Sequence, residues 1–282
     1  MNRNPLGILI ITYNRPQLFE NCLDRAISAR GENIVPIIVI RQNSEVDYLS
    51  AIKKAEQECD AVITVNGANR TVEENINFNR ICGLNYMFGV LKFENVIVLE
   101  DDVHISDLSI DFCLEAITKF SRDKKFMGVN FGSRIPFDIR LRKTYSLLRY
   151  GQHGPASLIT KRAWQGMRLN QLTRLKGKVA WDGWVESYLK KGFFVTPNLS
   201  MYIDLGHSGT HTPSYENEPY FKDLENSFDD AVDAHKKFTH VQVEHSWRID
   251  SRSYKRRNNL EYWLRDLYSR IRALTQSEEI KS

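Results

Sequence analysis

The chain has 282 residues, 42% of them hydrophobic, 11% aromatic and 26% charged, a mixture that sets aside disorder, collagen and a fibrous coiled coil and leaves one large or two small globular domains. Lys and Arg number 39 against 35 Asp and Glu, a formal net charge of +4, too little for a protein that coats nucleic acid unless the charge is strongly segregated. The longest apolar runs, around Ile8 to Tyr13, Val35 to Ile40 and Val96 to Leu99, fall far short of the roughly 20 residues of a membrane span.

Leu6 to Thr12 is a continuous, Ile-rich run, the pattern of a strand buried on both faces, and Tyr13-Asn14-Arg15-Pro16 ends it in a loop. Pro16 suits a first helical turn, and Leu18, Phe19, Cys22, Leu23, Ala26 and Ile27 recur at helical spacing until Gly31. Val35 to Ile40 repeats the buried-strand pattern, with Arg41-Gln42-Asn43-Ser44 as its turn. Tyr48 to Cys59 reads as a helix, Ala61 to Val65 as a short strand, Asn75 to Phe93 as one long helix and Val96 to Leu99 as a fourth strand. Strands alternating with helices predict an α/β fold with a mainly parallel sheet covered on both faces.

After Asp102 the pattern loosens. Leu108 to Phe120 reads as a helix, Phe126 to Phe131 as a strand, and Arg140 to Tyr150 as a basic, irregular stretch. Ser157 to Thr160 and Phe193 to Thr196 are further strands flanking a helix from Gly183 to Lys191, closed by Gly192. Beyond about Pro213 the composition turns polar and aromatic, as in a tail region. Cys22, Cys59, Cys82 and Cys113 form no CxxC pair, which favours reduced, mostly buried thiols.

Three segments could carry chemistry. Glu100-Asp101-Asp102 follows the strand Val96 to Leu99 directly, placing three carboxylates at the strand's carboxyl end, where open α/β sheets bind ligands. They read equally as a solvated acidic turn or as a site for a hard cation, Mn²⁺ or Mg²⁺, which takes one or two carboxylates and fills its shell with water and phosphate oxygens. In Ala180-Trp181-Asp182-Gly183-Trp184, Asp182 either caps a helix or is a general base made more basic by tryptophan walls that line a sugar cleft. In Gly206-His207-Ser208-Gly209, amides and a neutral imidazole could close over an anion, or the histidine is simply part of a loop. That segment is neither a Walker loop nor a dinucleotide fingerprint, so kinase, ATPase and nicotinamide chemistry lose support.

Taken in order, Ile8-Leu-Ile-Ile-Thr-Tyr-Asn-Arg15-Pro, Val35 to Asn43, Val96 to Val103, Ala180 to Trp184 and Leu205 to Gly209 resemble the inverting β-1,2-N-acetylglucosaminyltransferases of glycosyltransferase family 13, enzymes of the Rossmann-like GT-A fold. The resemblance covers roughly residues 6 to 212. It implies a metal-dependent enzyme that moves a GlcNAc-like sugar from a UDP-sugar to a hydroxyl of a glycan or lipid-linked acceptor. It implies Asp102 as direct ligand of Mn²⁺ or Mg²⁺, Glu100 and Asp101 as sugar and ribose contacts, and Asp182 as catalytic base. Thr12, Arg15 and Asn43 would hold the nucleotide, Trp181 and Trp184 the acceptor, and Gly206, His207 and Ser208 would order over the diphosphate. Three positions depart from the family: Gly183 replaces its second acid, Asn43 or Gln42 stands where it has a uracil-contacting Asp, and Met1-Asn2-Arg3-Asn4-Pro5 leads straight into a strand without a membrane anchor or signal peptide. The expectation is a cytoplasmic enzyme of polysaccharide biosynthesis.

The expected domains are a GT-A catalytic domain over 1–212, with a nucleotide-sugar half to about 104 and an acceptor half from about 105, and a carboxyl-terminal extension over 213–282. In the extension, Leu260, Trp263, Leu264, Leu267, Tyr268, Ile271 and Leu274 fall on one helical stripe, preceded by Arg252, Lys255, Arg256 and Arg257. This basic amphipathic helix, about 259–274, fits packing onto the domain, onto a second subunit, or peripherally onto the inner face of a membrane. The rival readings are a family-2-like glycosyltransferase using another nucleotide sugar and a nonenzymatic RNA- or membrane-binding module. A nucleotidyltransferase would need a basic, glycine-rich loop after the first strand, where this chain has Tyr13-Asn14-Arg15-Pro16.

Overall fold

A computed structural model describes residues 6–42, 48–66, 72–132, 145–148, 155–166, 192–197 and 200–205. All of them belong to the first of two units, Met1–His245; the second, Ser246–Ser282, lies outside the described residues.

The first apolar run forms β1 (Gly7–Thr12), in which every residue is buried. Pro16 then opens α1 (Pro16–Arg30), since its missing amide N–H would have no intrahelical acceptor there. Gly31 closes the helix in the left-handed region, at a φ of 52°, with its N–H donating to the carbonyls of Ile27 and Ser28. Next come β2 (Ile37–Gln42), α2 (Leu49–Glu58), β3 (Ala61–Val65) and α3 (Val72–Asn85). β4 (Asn95–Glu100), β5 (Val103–Ile105), α4 (Ser109–Phe120), β6 (Phe126–Asn130), β7 (Tyr145–Leu148), β8 (Ala156–Thr160), α5 (Lys161–Gly166), β9 (Phe193–Pro197) and β10 (Tyr202–Asp204) complete the described elements.

Eight strands make one sheet in the order β3-β2-β1-β4-β8-β6-β9-β7, and β5 pairs with β10 in a small antiparallel ribbon. β1 runs parallel to both β2 and β4, with Ile8 opposite Ile37 on one side and Ile97 on the other. Within the large sheet only β8 and β7 run against the common direction. The chain builds outward from β1 to β2 and β3, then crosses back to place β4 on β1's other edge. The carboxyl ends of β1 and β4 therefore flank a topological switch point, the crevice where such sheets bind ligands.

One face of the sheet presents Leu9, Ile11, Ile38, Ile40, Val96 and Val98 to Leu84, Met87, Phe88, Phe93 and Trp164. The alternate residues Ile8, Ile10, Ile37, Val39, Ile97 and Leu99 are buried as well, which is why these strands read as unbroken apolar runs. α3 comes close enough to the sheet that a Cβ on Gly83 would stand 2.6 Å from a Leu9 methyl.

The structure moves several boundaries. β2 starts two residues late, because the proline before it has no N–H to offer; the Pro36 carbonyl instead accepts from Ile8 N–H at 2.8 Å. Arg41 and Gln42 belong to the strand rather than to a turn. The long helix expected over Asn75 to Phe93 begins at Val72 and gives way to a π-helical turn, Tyr86–Val90, sealed by Leu91 N–H on the Tyr86 carbonyl at 3.0 Å. That wider turn lets both Met87 and Phe93 crowd onto Gly7. β7 lies inside the stretch read as irregular, and β5, β10 and α5 are too short to show a period. The helix expected from Gly183, the tail beyond Pro213 and the helix about 259–274 lie outside the described residues. Cys22 and Cys113 are buried, Cys59 and Cys82 half-buried. Among the described residues no helix is long and apolar enough to cross a membrane.

Gly128 sits between β8 and β9 where the register shifts, and a Cβ there would collide with the Leu158 carbonyl. Backbone cannot yield as a side chain can, so Gly128→Ala is expected to lower unfolding stability by about 1–3 kcal/mol, measured by urea denaturation.

Candidate active site

The register of β1 against β4 sets Ile11 opposite Glu100, so the residues that leave the two strands meet at the switch point. Thr12 Oγ1 donates to Asp101 Oδ2 at 3.0 Å, and the Tyr13 N–H donates to the same oxygen at 3.0 Å. Asn14 then takes a left-handed turn, φ 61°, a conformation asparagine tolerates better than most residues. The turn brings Arg15 back over the acids. Its Nη2 lies 2.5 Å from Asp101 Oδ1 and its Nη1 2.6 Å from Asp102 Oδ2.

Tyr48, entering α2 and only 2% exposed, locks this loop. Its hydroxyl accepts from Arg15 N–H at 2.5 Å and lies 3.1 Å from Thr12 Oγ1. Because Thr12 spends its one proton on Asp101, Tyr48 donates to Thr12. The result is a directed chain from Arg15 N–H through Tyr48 and Thr12 to the Asp101 carboxylate, in which each bond polarises the next. Arg41 closes over the Tyr48 ring with its guanidinium 5.1 Å from the centroid.

Glu100 points another way and pairs with Arg80 of α3, whose side chain is 4% exposed. Among the described residues three carboxylates thus face two guanidinium groups. Burial pushes the Asp101 carboxyl up to about 6, Arg15 pulls against that shift, and neighbouring Asp102 adds to it. Asp102 is 7% exposed. Arg15 engages one of its oxygens, while Oδ1 is buried with no hydrogen-bond partner among the described residues. A buried carboxylate oxygen left so is costly unless something else meets it, and a hard cation is the partner whose chemistry suits it. Among the described residues no three potential metal ligands converge on one point.

The antiparallel ribbon ties in another part of the chain. Asp204 of β10 stands opposite Val103 of β5, and Leu205 N–H donates to the Asp102 carbonyl at 2.8 Å. The residue directly before Gly206 is thereby fastened to the backbone of Asp102.

Of the residues picked from sequence, the structure brings together Thr12, Arg15, Glu100, Asp101 and Asp102. Asn43, Trp181, Asp182, Trp184, Gly206, His207 and Ser208 lie outside the described residues. Gln42 is buried and accepts from Asn79 Nδ2 at 2.9 Å. Sequence reasoning passed over Tyr48 and Arg80. Tyr48 stands at the start of the helix expected to Cys59 and Arg80 within the one expected from Asn75, and Tyr48 meets residues 33 and 36 positions away, beyond any local pattern.

No protein-family model matches the chain, and no curated protein matches it in sequence. Solved structures match in fold. Residues 1–349 of TarS from S. aureus superimpose with a TM-score of 0.50 at 9% identity, covering 84% of this chain and 73% of that one. The same protein in complex with UDP-GlcNAc gives 0.50 at 10% identity, covering 83% and 73%. A mannosyltransferase from Pyrobaculum calidifontis, in complex with GDP-Man and Mn²⁺, covers 67% of this chain at 18% identity and a TM-score of 0.43, too low to bear on the fold. The chain has an α/β, Rossmann-like fold of the GT-A type, with its acidic trio at the carboxyl edge of the sheet.

Asp101 ties the site to pH. Its native pKa of about 6 stands above the ordinary 3.8, so between these values the folded chain holds a proton that the unfolded chain has lost. Stability therefore falls as pH rises from about 4 to about 6, by up to about 3 kcal/mol. Asp101→Asn is expected to flatten that slope in urea denaturation carried out across the same pH range.

Proposed function

We propose that the chain is an inverting, metal-assisted glycosyltransferase that transfers a GlcNAc-like sugar from a UDP-sugar to a hydroxyl of a glycan or glycolipid. The observation that carries this reading is the buried oxygen of Asp102 that has no hydrogen-bond partner among the described residues, at the switch point of a GT-A-type sheet. UDP-GlcNAc in the complex of the fold neighbour TarS supports the choice of donor, and the motifs in their order support a likeness to family 13.

In this reading Asp102 holds Mn²⁺ or Mg²⁺, and the bound ion supplies Lewis-acid neutralisation of the charge that develops on the departing diphosphate. Thr12, Arg15 and Asn43 hold the nucleotide, with the Thr12–Tyr48 chain fixing the loop that carries the first two. Glu100, the least buried of the three acids, meets the sugar while Arg80 keeps it oriented. Asp101 contacts the ribose edge and holds the turn from Thr12 to Arg15 in place.

Inversion needs a hydroxyl that attacks from the face opposite the leaving group and loses its proton as it does so. Asp182 takes that proton, a contribution of about 10²–10⁴ in rate. Trp181 and Trp184 form the apolar walls that raise its basicity and stack on the acceptor. Gly206, His207 and Ser208 close over the diphosphate and keep water from the activated sugar. Leu205's bond to Asp102 supports that placement, because it fixes where this segment begins. The basic helix about 259–274 would hold the enzyme against a membrane that carries a lipid-linked acceptor.

Asp182→Asn is expected to bind UDP-GlcNAc as the parent does and to lose at least about 10²-fold in transfer rate. Near-normal turnover would remove Asp182 from the role of base. Asp102→Ala is expected to abolish the Mn²⁺-dependent part of the melting-temperature rise that UDP produces, since a ligand that binds only the folded chain raises Tm. An unchanged rise would end the metal assignment.

A further inference from the structure

The two arginines of the acidic cluster are held differently. Arg80 is sealed in, 4% exposed against Glu100. Arg15 is 34% exposed and lies on the open side of two carboxylates that are 2% and 9% exposed. Its main chain is pinned by the Tyr48 hydroxyl, so the side chain can swing without moving the loop. One arm of its fork meets Asp102 Oδ2 and the other Asp101, while Oδ1 of Asp102 has no hydrogen-bond partner among the described residues. A guanidinium and a divalent cation on one carboxylate repel each other, and the fork that fits a carboxylate also fits a phosphate.

We propose that Arg15 is an exchangeable counter-ion. It neutralises Asp101 and Asp102 when no cation is present, and it leaves Asp102 for diphosphate oxygens when cation and nucleotide arrive together. The exchange couples the two ligands: a cation alone must displace Arg15 from Asp102 and leaves its guanidinium with Asp101 alone, whereas a nucleoside diphosphate gives the freed arm a second anion. Asp101 keeps its Thr12 and Tyr13 hydrogen bonds throughout, so the loop does not collapse when Arg15 departs. The inference rests on the reading of Asp102 as the residue that holds the cation.

The test is Mn²⁺ binding to the full chain, followed by the electron-spin resonance of the free ion, with and without UDP, in the parent, Arg15→Gln and Arg15→Lys. The parent is expected to bind Mn²⁺ weakly alone and more tightly with UDP. Arg15→Gln should bind Mn²⁺ alone about tenfold more tightly than the parent, because the competing charge is gone, and should gain less from UDP. If that variant does not fold, Arg15→Lys carries the test, since an ammonium cannot span both carboxylates and should release Mn²⁺ affinity several-fold. Unchanged or weaker Mn²⁺ affinity in the folded variant, alongside Mn²⁺ binding by the parent with UDP, overturns the exchange and leaves the metal site standing. No Mn²⁺ binding to any of the three, even with UDP, overturns both.

Discussion

Everything at the rim of this sheet depends on how three adjacent carboxylates, two of them buried, can be held side by side. Left alone, Glu100, Asp101 and Asp102 would repel one another and pay heavily for burial. The fold meets this by aiming them at different partners: Glu100 at Arg80, Asp101 at Thr12, Tyr13 and Arg15, and Asp102 at Arg15. Arg80 comes from α3 and the other partners from the end of β1 and the loop after it, with Arg15 shared between two acids, so β1, β4 and α3 must all be in place before the acids are tolerated. Among the described residues Asp102 Oδ1 is buried without a hydrogen-bond partner, and it is there that the chemistry is expected to begin.

Much of the scaffold was visible in the sequence because the central strands are buried on both faces. Leu6 to Thr12 and Val96 to Leu99 could hardly be anything else, the half-buried edge strand Ala61 to Val65 still shows as a short apolar run, and a proline or a glycine marks each end of α1. The acidic trio was visible for a related reason: three charges directly after an apolar run conflict with burial, and such conflicts gather at functional sites. What stayed hidden depends on separation along the chain. Tyr48 meets Thr12 from 36 residues away, Arg80 reaches Glu100 across the sheet edge, and Asp204 finds Val103 through a ribbon three residues long. No periodicity records such meetings. The π-helical turn was hidden in another way, since its residues fit a helix of ordinary pitch until Met87 and Phe93 have to share the space beside Gly7.

Arg15 has a role in the structure that the sequence did not suggest. The family resemblance implied a nucleotide contact. The structure adds that it is committed to the acids themselves, with its main chain fixed by Tyr48 and its side chain at the open edge. A loop with one left-handed residue, Asn14, thus sets both the shape of the crevice and its electrostatic state before any ligand arrives.

The reversed direction of β8 has a consequence for how such a molecule can diversify. In a parallel neighbour, the chain at this rim would be the segment leaving the strand; in β8 it is the segment arriving, and Pro155, just ahead of Ala156, accepts the Glu100 N–H at 2.9 Å. The strands that frame the acids, β1 to β4, are laid down by one uninterrupted stretch of polypeptide. Whatever precedes Ala156 reaches the same rim from outside that stretch. Insertions and replacements there can change what the crevice offers an incoming molecule while the registers of the first four strands are inherited intact.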